Sequence, residues 1–385
     1  MIQAEMLKTA PDRILIIAMR YLGDVLLTTP LIHSVRKAYP KSRLDVLVFA
    51  NTAAILEGNS DIDSIIQTRQ GASFFEFVRL FFKIFRKYDL VLITQTGDRP
   101  FFYSLLAAPV RVGTVPSAKH TGSWKRFFIQ HWSEFDNTDT HTVREHLKLA
   151  ELMGIASLTE LIPPRGLREL DHSVAEIGKF PYAVLHMYPQ WIYKRWTVQG
   201  WAAVGRFLEQ QKIRLVLSGG PDPEEIEYLN EIQRDLPENT VNLAGRVSIA
   251  ELAGIIRGAS LFIGPDTGIT HLAAATGIPV IALYGPSNPV KWAPWPAGFN
   301  GRDNPFSRRG SQDVNNIHLI QGELDCVPCH LEGCDRHRNS HSECLDTLAA
   351  NRVVEKICHI LSLPPLAASV VQEAYRTSEG SAVLF

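Results

Sequence analysis

The stretch Ser260-Leu-Phe-Ile-Gly-Pro-Asp-Thr-Gly-Ile-Thr-His271, running on to Val280-Ile-Ala-Leu283, decides how this chain is read. Ser260 to Ile263 is a short apolar run of strand type, and Gly264-Pro265 breaks it. Asp266-Thr267-Gly268 opens a helix carrying Ile269, Leu272 and Ala273 on one side. Gly277 ends that helix, and Ile278 to Leu283 is a second strand of the buried type. Such a turn leaves backbone N–H groups at a helix start, where the helix dipole favours an anion. The expected ligand is the phosphate of a nucleotide leaving group. The competing reading is an ordinary connection capped by Asp266 and Thr267.

Working outward, the same alternation fills both halves of the chain. Toward the C-terminal side, strand-like runs lie at Tyr182 to Met187, Ile213 to Ser218 and Val241 to Leu243. Helical stretches at Trp201 to Gln210, Pro223 to Arg234 and Ile249 to Arg257 separate them. In the N-terminal half, Arg13 to Met19 is a continuous apolar strand, followed by the turn Arg20 to Val25. A helix with Pro30 inside its pattern comes next, and then strands at Leu44 to Phe49, Asp89 to Thr94 and Val110 to Gly113. Residues 156–181, with Pro163-Pro164 and Pro181, break the pattern. The reading is therefore α/β with two tandem units: 1–165, a linker at 166–181, 182–345, a C-terminal amphipathic helix at 346–362 and a weakly ordered tail at 363–385. A ligand is expected between the units, at the carboxyl ends of the strands.

Composition narrows the function. The 385 residues with 45% hydrophobic content can bury a large core, and a net charge of −1 draws the chain neither to nucleic acid nor to lipid as a whole. No apolar run reaches the roughly 20 residues of a membrane span. Five cysteines do not read as a secreted disulfide framework, and no signal peptide is evident, so a cytoplasmic protein is expected.

Leu22-Gly23-Asp24-Val25 followed by Thr29-Pro30, together with Gly264-Pro265-Asp266-Thr267-Gly268 and His271, resembles glycosyltransferase family nine, the lipopolysaccharide heptosyltransferases. The segment from Cys326 to His337 with Cys344-Leu345 is most similar to the branch adding a third inner-core heptose. The resemblance spans about residues 12–361. It implies a GT-B fold, two Rossmann-like domains facing across a cleft, the acceptor mainly on the first and the nucleotide-sugar on the second, with the last helix packing back on the first domain. The implied reaction inverts the anomeric centre, moving heptose from ADP-heptose to a heptose of the inner core. The alternative is another GT-B transferase, or an epimerase, using a different nucleotide-sugar.

An acceptor hydroxyl needs a positioned carboxylate to take its proton, and the family motif puts that base at Asp24; a helix cap is the plainer reading of the same residue. The departing diphosphate needs fixed donors. Thr267, Gly268 and Ile269 offer N–H groups, and Lys194, within Lys-Arg-Trp196, matches the family's Lys-x-Trp pattern and supplies the cation. Arg195 and His271 join the donor side. Asp266 is expected beside the sugar hydroxyls, because a carboxylate near a diphosphate is repelled. Ser218, at a strand end with Gly219-Gly220, is a further donor-side candidate, and one of Asp222, Glu224 and Glu225 is a candidate for the ribose. The second half holds no Asp-x-Asp motif to grip a divalent ion, so catalysis without metal or other cofactor is the expectation.

For the acceptor side the candidates are Arg20, Asp98, Arg99, Lys119, Lys125 and Arg126, with the Trp124 to Trp132 loop to stack on sugars. The Phe-rich stretch Phe74 to Arg86 reads as a helix packed in the core; the competing use is peripheral contact with the cytoplasmic face of the inner membrane. Cys326, Cys329, Cys334 and Cys344 have the ligand types of a zinc knuckle without the spacing of a standard finger. Free thiols or a disulfide compete with structural zinc there, and no metal is assigned. A zinc-dependent nucleic-acid module predicts a basic domain, which the charge does not supply.

Overall fold

Branched aliphatic runs make two parallel sheets, one in each half of the chain. The computed structural model describes residues 10–117, 121–166 and 177–364; Lys119, much of the expected linker and nearly all of the tail lie outside the described residues. Two compact units result: Met1–Leu167 with Ala297–Pro305, and Arg168–Pro296 with Phe306–Phe385.

The first unit carries β1 (Arg13–Ile17), α1 (Leu22–Leu26), α2 (Thr29–Ala38), β2 (Arg43–Phe49), β3 (Ser64–Thr68), α3 (Phe74–Ile84), β4 (Leu90–Ile93), α4 (Asp98–Ala107), β5 (Val110–Val115), β6 (His131–Glu134) and α5 (Thr142–Leu152). All its strand pairs are parallel, in the order β3-β2-β1-β4-β5-β6. Ile14 to Ile17 are wholly buried, as expected of a strand covered on both faces. Pro30 does not kink one long helix. It sits in the first turn of α2, where a missing N–H costs nothing, and separates α2 from α1. An Asp61-Ile-Asp63 triplet in this unit is spent on folding: Asp61 meets His33 at 2.7 Å, and Asp63 meets Arg36 at 2.6 Å and the Leu44 N–H at 2.7 Å.

The second unit carries β7 (Tyr182–Leu185), α6 (Val198–Gln210), β8 (Arg214–Leu217), α7 (Pro223–Gln233), β9 (Val241–Asn242), α8 (Ile249–Gly258), β10 (Leu261–Pro265), α9 (Gly268–Thr276), β11 (Val280–Tyr284), α10 (Pro289–Trp292), β12 (Gln312–Val314), β13 (Ile317–Gln321), α11 (Glu343–Asp346) and α12 (Ala350–Leu361). The order is β12-β13-β11-β10-β7-β8-β9, parallel except for the β12–β13 hairpin. Gly264-Pro265 does not break β10; both residues pair with β11. Glycine is needed at 264 because a Cβ there lies 2.8 Å from the Phe262 ring and 2.9 Å from Thr270 Oγ1.

Two expectations are corrected, for residues 297–305 and for α3. Residues 297–305 belong to the first unit, where Thr159 Oγ1 donates to the Phe299 carbonyl at 2.8 Å and Asn304 Oδ1 accepts from the His141 N–H at 2.9 Å. The last helix, α12, packs within the second unit, where Val353, Val354 and Ile357 enter the core with Leu208 of α6. α3 is not a core helix. It buries Leu80 and Ile84 and leaves Phe74, Phe75, Phe77, Phe82 and Phe85 exposed, because its apolar arc is wider than the strip of the unit it covers.

In both sheets the chain reverses direction across the sheet beside its first strand: between β1 and β4 in one unit, and between β7 and β10 in the other. At such a switch point the connections leaving the two strands run to opposite sides of the sheet, the place where an α/β sheet of this kind offers a ligand crevice.

Candidate active site

In the first unit Ala18-Met19 follow β1 and the chain turns into α1 with Tyr21 as the N-cap residue. Asp24 is therefore not a cap. It lies in the first turn of α1, 8% exposed, with Arg20 Nε at 3.5 Å from Oδ1. Its backbone is pinned: Thr28 Oγ1 donates to the Asp24 carbonyl at 2.9 Å, and His146 of α5 meets Thr28 and the Leu27 carbonyl. Gln95, just past β4, clamps the neighbouring turn. In the orientation that satisfies its neighbours, its amide donates to the Met19 carbonyl at 3.0 Å and accepts from the Met19 and Arg20 N–H groups at 2.7 and 3.2 Å.

The same strand end carries Asp98, paired with Lys125 at 2.6 Å; Lys125 is buried and also donates to the Thr96 carbonyl at 2.6 Å. Two expected acceptor residues have other occupations. Arg99 donates to the Gln70 carbonyl, the Tyr103 hydroxyl and Thr68. Arg126 donates to the Ser123 carbonyl and lies over the Trp132 ring. Both were read from charge alone, and their guanidinium groups are taken up by local structure.

In the second unit Asp266 follows β10 directly, and Thr267 caps α9, its Oγ1 accepting from the Thr270 N–H. The His271 N–H goes to the Thr267 carbonyl. The N–H groups of Thr267, Gly268 and Ile269 are the ones at this end that neither the helix nor its cap uses. Lys194 comes from the turn after β7, and its Nζ stands 2.5 Å from Asp266 Oδ2, 4.9 Å from the Trp191 ring centre and 5.8 Å from that of Tyr193. Burial pushes the Asp266 carboxyl up, but the charge and hydrogen bond of Lys194, with a hydrogen bond from Ser287, outweigh it and hold the group below the usual carboxylate range. Tyr284, the last residue of β11, donates to the Trp292 carbonyl at 2.7 Å and stands 3.3 Å from Asp266 Oδ1. Burial and that carboxylate keep its hydroxyl protonated far above neutral pH.

Arg195 points the other way along the same turn, sandwiched between the rings of Tyr188 (4.4 Å) and Tyr228 (4.7 Å). Its Nε is buried without a partner among the described residues. Beyond it Glu225 of α7 accepts the Gly220 N–H, and burial raises its pKa. Ser218 is a correction: it is wholly buried, and its hydroxyl serves the Leu185 carbonyl and His186, out of a ligand's reach. Tyr284, Tyr228 and Gln95 were missed. Tyr284 and Gln95 share a signal, a polar or aromatic residue at or just beyond a strand end, whereas Tyr228 lies within α7 and carries none.

All five cysteines lie in the second unit. All five are free thiols, and no group of three or more metal-ligating side chains is gathered among the described residues. Burial, with the neighbouring thiols, pushes Cys344 up to about 12.

His186 and His271 are both buried, and burial lowers each pKa to about 4. A histidine in the unfolded chain titrates near 6.5, so between about pH 6.5 and 4 the unfolded state binds protons that the folded state refuses. Stability is thus full above that window and falls with acid, by about 2 kcal/mol per histidine at pH 5. Asp266 acts in a different window, its contribution holding until the pH drops below about 4. Urea unfolding at pH 7.5 and pH 5 should show the fall, and His271→Asn should remove roughly half of it; an undiminished fall in that variant assigns the effect elsewhere.

Two Rossmann-like units, each with its polar side chains gathered at the crevice of the sheet, compose a glycosyltransferase of the GT-B type. The chain belongs to glycosyltransferase family 9, the heptosyltransferases: residues 78–307 match that family. It is 32% identical to lipopolysaccharide heptosyltransferase 3 of Escherichia coli over 325 residues, 78% of this chain and 93% of the relative. The fold is shared with the family 9 glycosyl transferase of Veillonella parvula, with a TM-score of 0.72, 20% identity, and 91% of this chain and 97% of that one covered. It is shared also with the E. coli heptosyltransferase WaaC solved with ADP, with a TM-score of 0.65, 20% identity and coverage of 90% and 99%. The family match takes in Lys194, Arg195 and Asp266 to His271 and begins after Asp24.

Proposed function

We propose that the chain transfers heptose from ADP-heptose to a heptose of the lipopolysaccharide inner core with inversion at the anomeric carbon. The observation that carries this reading is the donor set at the second unit's crevice: Lys194, the unused N–H groups of Gly268 and Ile269, and Arg195 framed by two tyrosines. Such fixed donors suit a departing diphosphate and supply the charge stabilisation that a divalent ion supplies elsewhere. The names of the relatives point to the sugar and the acceptor.

In this reaction Asp24 accepts the proton of the acceptor hydroxyl while its oxygen bonds to the anomeric carbon. The bond from that carbon to the β-phosphate oxygen breaks on the opposite face, and its electron pair leaves with ADP. Lys194 and the start of α9 hold the charge that develops on the diphosphate. Asp266, drawn beside Lys194, takes sugar hydroxyls rather than phosphate. Glu225, near the end of β8, suits the ribose hydroxyls, and Arg20 and Asp98 suit the acceptor, Asp98 being held in place by the buried Lys125. The test is to incubate the protein with ADP-heptose and truncated core acceptors. Gain of one heptose by mass, with an inverted anomeric signal by NMR, is expected; faster transfer from a UDP- or GDP-sugar overturns the donor assignment.

A further inference from the structure

The exposed aromatic residues of the first unit are not scattered. Phe74, Phe75, Phe82 and Phe85 stand out from α3 and its end, Phe102 from α4, and Trp124, Phe127 and Phe128 from the turn Ser123–Phe128. Phe74, Phe75, Phe82 and Phe127 are 74, 84, 67 and 81% exposed, values that rule out a core role for them. The elements are joined through α4: Tyr103 stacks on Phe77 of α3 at 6.3 Å, and Phe101 meets Trp124 at 5.3 Å and Phe128 at 6.1 Å. A contiguous apolar surface of this kind marks an interaction site.

Charge identifies what covers it. Arg79, Lys83, Arg86 and Lys87 are all exposed on α3 or just past its end. The one carboxylate within α3, Glu76, is used in the capping box with Ser73. At 3.6 residues per turn, Phe74, Val78, Phe81 and Phe82 share one side of the helix next to the buried stripe of Leu80 and Ile84. Arg79 and Lys83 border that side, where long basic side chains can reach headgroups while the rings enter the acyl boundary. α3 has 11 residues, and no helix among the described residues is long and apolar enough to cross a membrane, so the helix lies along an interface. A second copy of the chain fits poorly, because a symmetric contact sets each basic border beside its own duplicate.

We propose that the face formed by α3, the exposed edge of α4 and the turn Ser123–Phe128 docks on a bilayer surface carrying anionic lipids. This inference is independent of the donor and acceptor assignments, although a lipid-borne acceptor gives it a purpose.

The test uses the full chain and sedimenting vesicles of phosphatidylglycerol with phosphatidylethanolamine, against vesicles of phosphatidylcholine. Binding to the anionic vesicles at least about tenfold tighter, and weakened by salt, is expected. Phe75→Ser/Phe82→Ser should lower the affinity at least about tenfold with the melting temperature unchanged. Arg79→Gln/Lys83→Gln should erase the preference for anionic lipid. Absence of wild-type binding, or equal binding by the phenylalanine variant, overturns the proposal. So does a wild-type dimer in sedimentation velocity that the phenylalanine variant dissociates while neither binds vesicles.

Discussion

Asp24→Ala is expected to keep nucleotide-sugar binding and to lose transfer by a factor of at least about 10², the contribution of a positioned general base. Binding should survive because the donor-side residues lie in the other unit, at the ends of β7, β8 and β10. The fold should survive as well. The anchor of α1 at this point is the Asp24 carbonyl, held by Thr28, and the substitution leaves it in place. Arg20, the cation facing the carboxylate, has a side chain 36% exposed, so it loses a partner without being stranded in a dry interior. Asp24→Asn, which keeps volume and removes basicity, should be nearly as slow, and the acid limb of the kcat/KM profile should disappear in both variants. Calorimetric titration with ADP-heptose and single-turnover transfer measure the two halves of the prediction. A variant within a few-fold of wild-type turnover makes Asp24 a structural residue and leaves the reaction without its base.

How much of this was legible in the sequence depended on burial. β1, β4, β7, β10 and β11 were visible because strands covered on both faces must be apolar throughout. β3 and β6 were not: each lies at a sheet edge, and Ser64-Ile-Ile-Gln-Thr68 and His131-Trp-Ser-Glu134 carry no unbroken apolar run. α4 hid behind Asp98-Arg-Pro100, a helix start that reads equally as a loop, since proline belongs in a first helical turn. The functional turns were legible for the opposite reason. Asp24, Lys194 and Asp266 each follow a recognisable strand, so their place at a crevice follows from topology alone. What stayed hidden was pairing. Nothing in the order of residues says that Lys194 meets Asp266 across 72 positions, or that Tyr284 meets it across 18. Ser218 misled because a strand end has two sides, and its hydroxyl faces inward. Phe74 to Phe85 misled because composition records how much apolar surface a helix has and not how much its own unit covers.

The Lys194–Asp266 pair sharpens the second large prediction, because one lysine is asked to serve two anions. Lys194→Ala strips the counter-ion from a carboxylate that is 8% exposed and left with Ser287 as a hydrogen-bond donor and the Tyr284 hydroxyl 3.3 Å away. Breaking such a buried pair costs about 3–5 kcal/mol, so the single variant should unfold at markedly lower urea concentration. It should also lose about 10² to 10³ in turnover if Lys194 stabilises the leaving diphosphate. Either loss alone is ambiguous, since an unsettled carboxylate by itself disturbs the site. The double variant Lys194→Ala/Asp266→Asn separates them: with the buried charge removed, most of the lost stability should return. Turnover should not, because asparagine replaces the carboxylate's burden but nothing replaces the cation at the diphosphate. ADP affinity, read by calorimetry, should stay depressed in the double variant for the same reason. Recovery of turnover to within about tenfold of wild type, a margin small against the 10² to 10³ expected of a lost oxyanion donor, reduces Lys194 to a counter-ion for Asp266. The leaving-group role then passes to Arg195 and the first N–H groups of α9.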